Sequence, residues 1–271
     1  MNELSINELR SIQLDILQDV HEFCTNQNLR YSLCGGTLLG AVRHQGYIPW
    51  DDDIDIMMPR EDYDKFISTY TSKDNYLIDF IRVKSYRETF VKVCKKDTMM
   101  EDPWGRTNLG INIDVFPIDG VSNKNPKEYI DKILYMKDKI ARFCPYYIHM
   151  PSKKYMWFLK YIFKRIIFFQ FNSVLRLKNV FNDMLRKHSI GKCKYSGVIS
   201  GSYGHKEVVE SNVFLKYRKL EFEKHKFSAI SNYDAYLTAI YGNYMQLPPK
   251  EKRCHPHKYK AFLSTQVINI I

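Results

Sequence analysis

The sequence has no CxxC pair: its six cysteines, Cys24, Cys34, Cys94, Cys144, Cys193 and Cys254, are scattered. That spacing argues against a zinc ribbon or a dithiol redox motif and fits reduced thiols. No window reaches the roughly 18 uncharged apolar residues that cross a bilayer. The first residues carry Glu3, Glu8, Asp15 and Asp19 and no apolar core of signal-peptide length. The expectation is a cytoplasmic protein. No internal repeat, low-complexity tract or Gly/Ser linker divides the chain. Acids are missing from one long stretch: Lys139 to Asn182 holds nine Lys or Arg and no Asp or Glu, most of the formal charge of +11. Such a local basic zone points to an anionic partner, whether phosphate, glycan, lipid head group or nucleic acid.

What is present is enough for a sizeable core. The 271 residues are 45% hydrophobic and 26% charged, with 20 Tyr and 16 Phe, a composition that folds rather than stays disordered. Ser5 to Asn26 predicts an amphipathic helix, with Ser5 as N-cap and Glu8 completing a capping box. Leu29 to Cys34 predicts a short strand ending at Gly35-Gly36, and Thr37 to His44 a short helix. After a turn at Gln45 to Trp50, Ile54 to Met58 alternates as a strand that Pro59 stops, and Glu61 to Tyr70 resumes helix. Tyr76 to Val83, Phe90 to Cys94 and Gly110 to Phe116 predict further strands, the last closed by Pro117. From Pro126 to about Lys192 the pattern is helical, and the tail mixes short helices with a Pro-rich stretch.

The chemistry concentrates in GGTLLGAVRHQGYIPWDDDIDIMMPR. A glycine pair between a strand and a helix permits close approach of phosphate to free backbone N–H groups. Along a strand, residues i and i+2 point the same way, so Asp53 and Asp55 are expected on one face. Two like charges side by side call for a divalent cation such as Mg²⁺. Asp114, flanked by Ile113 and Val115, becomes a third carboxylate if its strand neighbours the first. Asp51 shares parity with Asp53 and would add a ligand; Asp52 is expected in solvent. Arg43, His44 and Arg60 flank the motif and could neutralise phosphate. Lys92, between Val91 and Val93, is a stronger phosphate candidate, because a Lys among apolar neighbours needs a partner.

Three stretches carry a resemblance: GGTLLGAVRHQGYIPWDDDIDIMMPREDYDKF, GINIDVFPIDG and YGNYMQLPPKEKRCHPHKYKAF. They are similar to the LicD family of phosphotransferases, whose best-known members move phosphocholine from CDP-choline onto cell-surface glycans. Fukutin-related proteins are distant relatives. The resemblance implies an α+β fold: a nucleotidyltransferase-like small mixed β-sheet with flanking helices, plus a mostly helical C-terminal half. It implies a catalytic core over residues 1–125, a helical basic elaboration over 126–200 and a C-terminal segment over 201–271 that completes the active site. Gly35, Gly36 and Thr37 would hold nucleotide phosphates. Asp53, Asp55 and Asp114 would be catalytic and hold one or two Mg²⁺ ions. In the tail, the resemblance gives the functional role to His257, which aligns with a family histidine, and not to His255, because Pro256 stands where the preceding family histidine would be. Arg253 would close over the phosphates.

The implied partners are CDP-choline or a related CDP-alcohol and an acceptor glycan of lipopolysaccharide, teichoic acid or capsule, with no nucleic acid. Residues 153–178 read as a buried helix with a lysine edge, or as a peripheral contact with an anionic membrane at a lipid-linked acceptor. Choline has no hydrogen-bond donor and is attracted to aromatic faces, which makes Trp50 and Trp104 its candidate binders. The alternatives are attachment of a nucleotide, or a glycan-assembly scaffold without turnover.

Overall fold

The structure, a computed structural model, describes residues 2–83, 86, 88–101, 109–143, 171–253 and 259–264. Helix α1 (Ile6–Asn26) starts as its sequence dictates. Ser5 Oγ accepts from the Glu8 amide at 3.3 Å and Glu8 Oε2 accepts from the Ser5 amide at 2.7 Å. Its inner face buries Leu9, Ile16, Leu17, Val20 and Cys24 in the main core, at about 1.5–3 kcal/mol for each large apolar side chain.

The elements that follow are β1 (Ser32–Leu33), α2 (Gly35–His44), β2 (Asp55–Pro59), α3 (Arg60–Thr69), β3 (Asn75–Ile78), β4 (Val91–Lys95), β5 (Thr98–Glu101) and β6 (Asn112–Gly120). Beyond them lie α4 (Pro126–Phe143), α5 (Phe171–Arg186), β7 (Tyr195–Gly197), β8 (Val208–Glu210), β9 (Tyr217–Phe222), β10 (His225–Ile230), α6 (Tyr233–Tyr241) and β11 (Lys260–Leu263). The central sheet has the order β1-β2-β6-β4-β3, with β7 and β8 added at the far end of β6. Strands β2 and β6 run parallel, and the other pairs in this sheet are antiparallel. Helices α4 and α5 bury Ile130, Ile133, Ile140, Phe181 and Leu185 in a second cluster with Ile78, Phe80, Cys94 and Val121.

The fold is α+β, as expected, with differences that have physical reasons. Strand β6 does not stop at Pro117 but continues to Gly120. Pro117 faces Met58 of β2, whereas β4 has already ended opposite Val115. The missing N–H therefore points past the end of β4 and leaves no ladder bond unmade. Asp53 lies ahead of β2 rather than on it, since that strand begins at Asp55. The rear half contributes β7 to β11 besides its helices, including a β9–β10 hairpin. Its turn residues, Glu223 and Lys224, have φ of 51° and 66°. Those angles are usually taken by Gly, Asn or Asp, so the hairpin leaves no turn signal in the sequence.

One lysine of the basic zone faces inward. Lys178 on α5 is 0% exposed, and its Nζ donates to the carbonyls of Phe80, Val83 and Tyr86 at 2.9, 2.9 and 2.7 Å. It holds the connection between β3 and β4 and is not available to an external anion. Residues 153–170 of the expected interfacial helix lie outside the described residues. No described helix is long and apolar enough to cross a membrane.

Candidate active site

The parallel pairing of β2 with β6 sets Asp55 directly opposite Asp114, and the Asp114 amide donates to Ile54 O at 2.9 Å. Asp55 and Asp114, expected to meet from separate strands, are therefore neighbours across the pair. The start of α2 is fastened to the same place: the Cys34 amide donates to Asp55 O at 3.1 Å and the Asp55 amide to Thr37 Oγ1 at 2.8 Å. Thr37 is buried and its hydroxyl accepts from backbone, so it positions Asp55.

The two glycines open the first turn of α2, and their bareness serves the aspartates first. A Cβ on Gly36 would sit 2.6 Å from Asp51 Oδ2, and one on Gly35, whose φ is +53°, would sit 3.3 Å from Asp55 Oδ2. Carboxylates can pack this closely only against glycine, and the N-terminal end of the helix favours their charge. Gly36→Ala is expected to push Asp51 aside and lower kcat/KM about tenfold or more, with a melting temperature close to wild type. Steady-state kinetics beside a thermal melt would check this.

The acidic loop is tied down from α1. Arg10 Nη2 donates to the carbonyls of Ile48, Pro49 and Asp51 at 3.2, 3.0 and 2.6 Å, and Gln13 Nε2 donates to Asp52 O at 3.0 Å. Asp51, Asp52 and Asp53 each bring one carboxylate oxygen within 4.8 Å of the others. Asp52 is buried, not in solvent as its sequence context suggests. Burial, then the neighbouring Asp53 charge, pushes the Asp51 carboxyl up to about 8. Burial also raises Asp55 well above the carboxylate range, with Asp53, Asp114 and Asp51 adding to the effect. Asp114 is raised by burial, against the opposing pull of Lys92. This is a set of oxygen donors whose mutual repulsion a hard divalent cation relieves; the residues fit Mg²⁺.

Lys92 has its partner within the protein. Its Nζ pairs with Asp114 and donates to Asn112 Oδ1 at 3.0 Å. Its pKa is held up by Asp114 against the opposing effect of burial. Lys92 thus fixes the Asp114 carboxylate, with the Glu88 charge and the Tyr259 ring nearby. Arg60, read in the sequence as a phosphate candidate, points the other way. It forms a two-bond pair with buried Asp119 at 2.7 and 2.6 Å, at the opposite end of β2 and β6.

Arg43 and Arg253, far apart in sequence, come close enough for their charges to be felt. Arg43 donates to Tyr244 O at 2.6 Å, Arg253 donates to Pro248 O at 2.8 Å, and the Arg253 guanidinium lies 5.5 Å over the Trp50 ring. Burial lowers Arg43, and the positive charge of Arg253 adds to that shift. Neither arginine has an ion-pair partner among the described residues. Two adjacent guanidiniums of this kind suit a diphosphate. Trp104 and His257, with Cys254 and His255, lie outside the described residues.

Residues 28–164 match the family described as LicD/FKTN/FKRP, nucleotidyltransferase domain. Across 276 aligned residues the chain is 31% identical to the lipopolysaccharide cholinephosphotransferase LicD of Haemophilus influenzae, covering 97% of this chain and 100% of that protein. The chain belongs to the LicD family. Shorter stretches match uncharacterised proteins of Rickettsia typhi, 50% identical over 58 residues, and Rickettsia prowazekii, 55% over 47 residues. These cover 21% and 17% of this chain, and 19% and 18% of those proteins. In this LicD family member several residues at the site carry no sequence motif of their own. Arg10 sits at the margin of an ordinary amphipathic helix, and Gln13 is a lone polar residue on its buried face. Tyr203, Tyr241 and Tyr259 come from distant segments among 20 tyrosines.

Proposed function

We propose that this LicD-type phosphotransferase moves phosphocholine from CDP-choline to a hydroxyl of a cell-surface glycan and releases CMP. The observation that carries the reading is the meeting of Asp55 and Asp114 across β2 and β6 beside the glycine-opened end of α2. The end-to-end similarity to a lipopolysaccharide cholinephosphotransferase supports phosphocholine as the group moved.

Asp53, Asp55 and Asp114 would hold Mg²⁺, which would supply charge neutralisation on the transferring phosphate. Arg43 and Arg253 would bind and orient the diphosphate of the donor. The acceptor oxygen then attacks the phosphorus distal to cytidine. One O–P bond forms, the bridging P–O bond breaks, and CMP leaves with the electron pair. The hydroxyl proton would pass to a carboxylate of the site; the pairing of Asp114 with Lys92 supports Asp114 in that role. Holding these groups in line supplies most of the rate enhancement in phosphoryl transfer.

The test is incubation of the purified protein with Mg²⁺ and a deacylated surface glycan, with labelled CDP-choline in one arm and CTP in the other. CMP release with choline label on the glycan is the expected result. Pyrophosphate release from CTP would identify a nucleotidyltransferase instead. CMP release only when CDP-glycerol or CDP-ribitol replaces CDP-choline would change the group moved.

A further inference from the structure

A trimethylammonium group carries a charge but no N–H, so a protein recognises it with aromatic faces and nearby carboxylates. Of the two tryptophans suggested by the sequence, Trp50 already has the Arg253 guanidinium 5.5 Å over its ring and His44 at its edge, 6.3 Å between centroids. A second cation there would meet the repulsion of the first. Another pair of rings lies within the field of the aspartates; Arg43 is close to one of them, Tyr241, but no described guanidinium or ammonium stands over either ring.

Tyr203 precedes a 3-10 turn at Gly204–Glu207, and Tyr241 ends α6. Their rings meet at 78° with centroids 5.4 Å apart, and their hydroxyls are 3.0 Å from each other. Each hydroxyl thus has a partner in the other ring, and the open aromatic surface comes mainly from Tyr203, with the half-buried Tyr241 as its second wall. Tyr203 is 43% exposed. Both rings lie within the field of Asp55, and Tyr203 also within that of Asp51. Beneath Tyr203, the buried Glu207 accepts its amide N–H at 3.0 Å. Lys137, donating to Ser200 O and Gly201 O at 2.7 and 2.8 Å, offsets part of the Glu207 charge. On α6, Tyr236 is fully buried in the main core, and the helix packs against α2.

We propose that Tyr203 and Tyr241 form a right-angled aromatic corner that receives the quaternary ammonium of the transferred group. The proposal rests on the phosphocholine reading above and names the residues that set its donor specificity. The length of the transferred group sets how near the corner must be. In phosphocholine only an ethyl bridge and one oxygen separate the ammonium from the reacting phosphorus, so the head group must lie close to the carboxylates. Primary ammonium and neutral polyol head groups gain less from such a corner, because they keep hydrogen bonds to water that an aromatic wall cannot replace.

The test separates binding from turnover. Phosphocholine and glycerol phosphate are titrated calorimetrically, with Mg²⁺ present, into wild type, Tyr203→Leu and Tyr203→Phe. The same proteins are assayed for CMP release from CDP-choline and CDP-glycerol. Wild type is expected to bind phosphocholine more tightly than glycerol phosphate. Tyr203→Leu should weaken phosphocholine about tenfold and leave glycerol phosphate unchanged, while Tyr203→Phe, which keeps the ring, stays within about twofold of wild type. Tyr203 is partly exposed, so its replacement should leave the fold intact, as a thermal melt would verify. Equal binding of the two ligands by wild type, or equal losses for both ligands in Tyr203→Leu, would overturn the corner. Preferential phosphocholine binding without CMP release would sink the reaction assigned above but retain the corner.

Discussion

Asp55→Asn is expected to abolish turnover, by about a thousandfold or more, while making the metal-free protein more stable than wild type. The two effects share one cause. Asp55 is buried among Asp53, Asp114 and Asp51, and its carboxyl is raised well above the usual range, burial being the largest cause. In the absence of metal, folding is therefore linked to proton uptake at Asp55 once the pH exceeds the unfolded carboxylate's ordinary value. A group raised in this way lends its full stability below its unfolded pKa and loses it as pH rises toward the folded value. Wild type without metal should thus melt progressively lower from about pH 4 upward, and the Asn variant, which cannot ionise, should show a flatter profile. Mg²⁺ should raise the wild-type melting temperature by binding the folded state only and should raise that of Asp55→Asn much less. Melting curves over pH with and without Mg²⁺, beside a CMP-release assay, check all three effects. Full turnover by the variant would remove Asp55 from the reaction.

Arg60→Met is expected to cost about 3–5 kcal/mol of stability and to spare the chemistry. Asp119 is 1% exposed, and Arg60 supplies both of the hydrogen bonds that compensate its burial. Removing the guanidinium leaves a carboxylate inside the protein with no charge partner equivalent to it. For a chain of this size the loss corresponds to a melting temperature lower by about 10 °C. Adding Asp119→Leu should recover most of the deficit, since removing both charges is far less costly than stranding one. Asp119 lies five residues beyond Asp114 along β6, roughly 16 Å at the usual strand rise. The variant that remains folded at low temperature should accordingly keep near-normal kcat. A variant as stable as wild type would show that water reaches Asp119.

These two residues also mark where sequence reasoning succeeds and where it stops. The i, i+2 aspartates, the glycine pair and the third carboxylate are legible because each is defined by local spacing and strand parity. Parity survives small errors in strand boundaries: β2 starts at Asp55 rather than Ile54, yet Asp55 still meets Asp114. Charge pairing does not show in local sequence. As letters in a chain, Arg60 and Lys92 both read as available to phosphate, Lys92 the more so. The register of β4 against β6 gives Lys92 to Asp114, and the far end of β6 gives Asp119 to Arg60.

The β9–β10 hairpin was hidden for a related reason. Glu223 and Lys224 have no intrinsic preference for positive φ, and their turn is held by a distant contact. Glu223 Oε1 accepts the Tyr47 amide at 3.0 Å, and the Glu223 amide donates to Gln45 O at 3.0 Å. Gly46 makes room, since a Cβ there would lie 2.2 Å from that same oxygen. Tertiary structure thus supplies what the turn residues lack, and no local rule could have reported it.

The most direct measurement is mass spectrometry of an acceptor surface glycan after incubation with CDP-choline, Mg²⁺ and either wild type or the Asp53→Asn and Asp55→Asn variants. The account predicts a glycan carrying one added phosphocholine with wild type and unmodified glycan with both variants. A glycan carrying a cytidine nucleotide, or the same phosphocholine product from all three proteins, would contradict it.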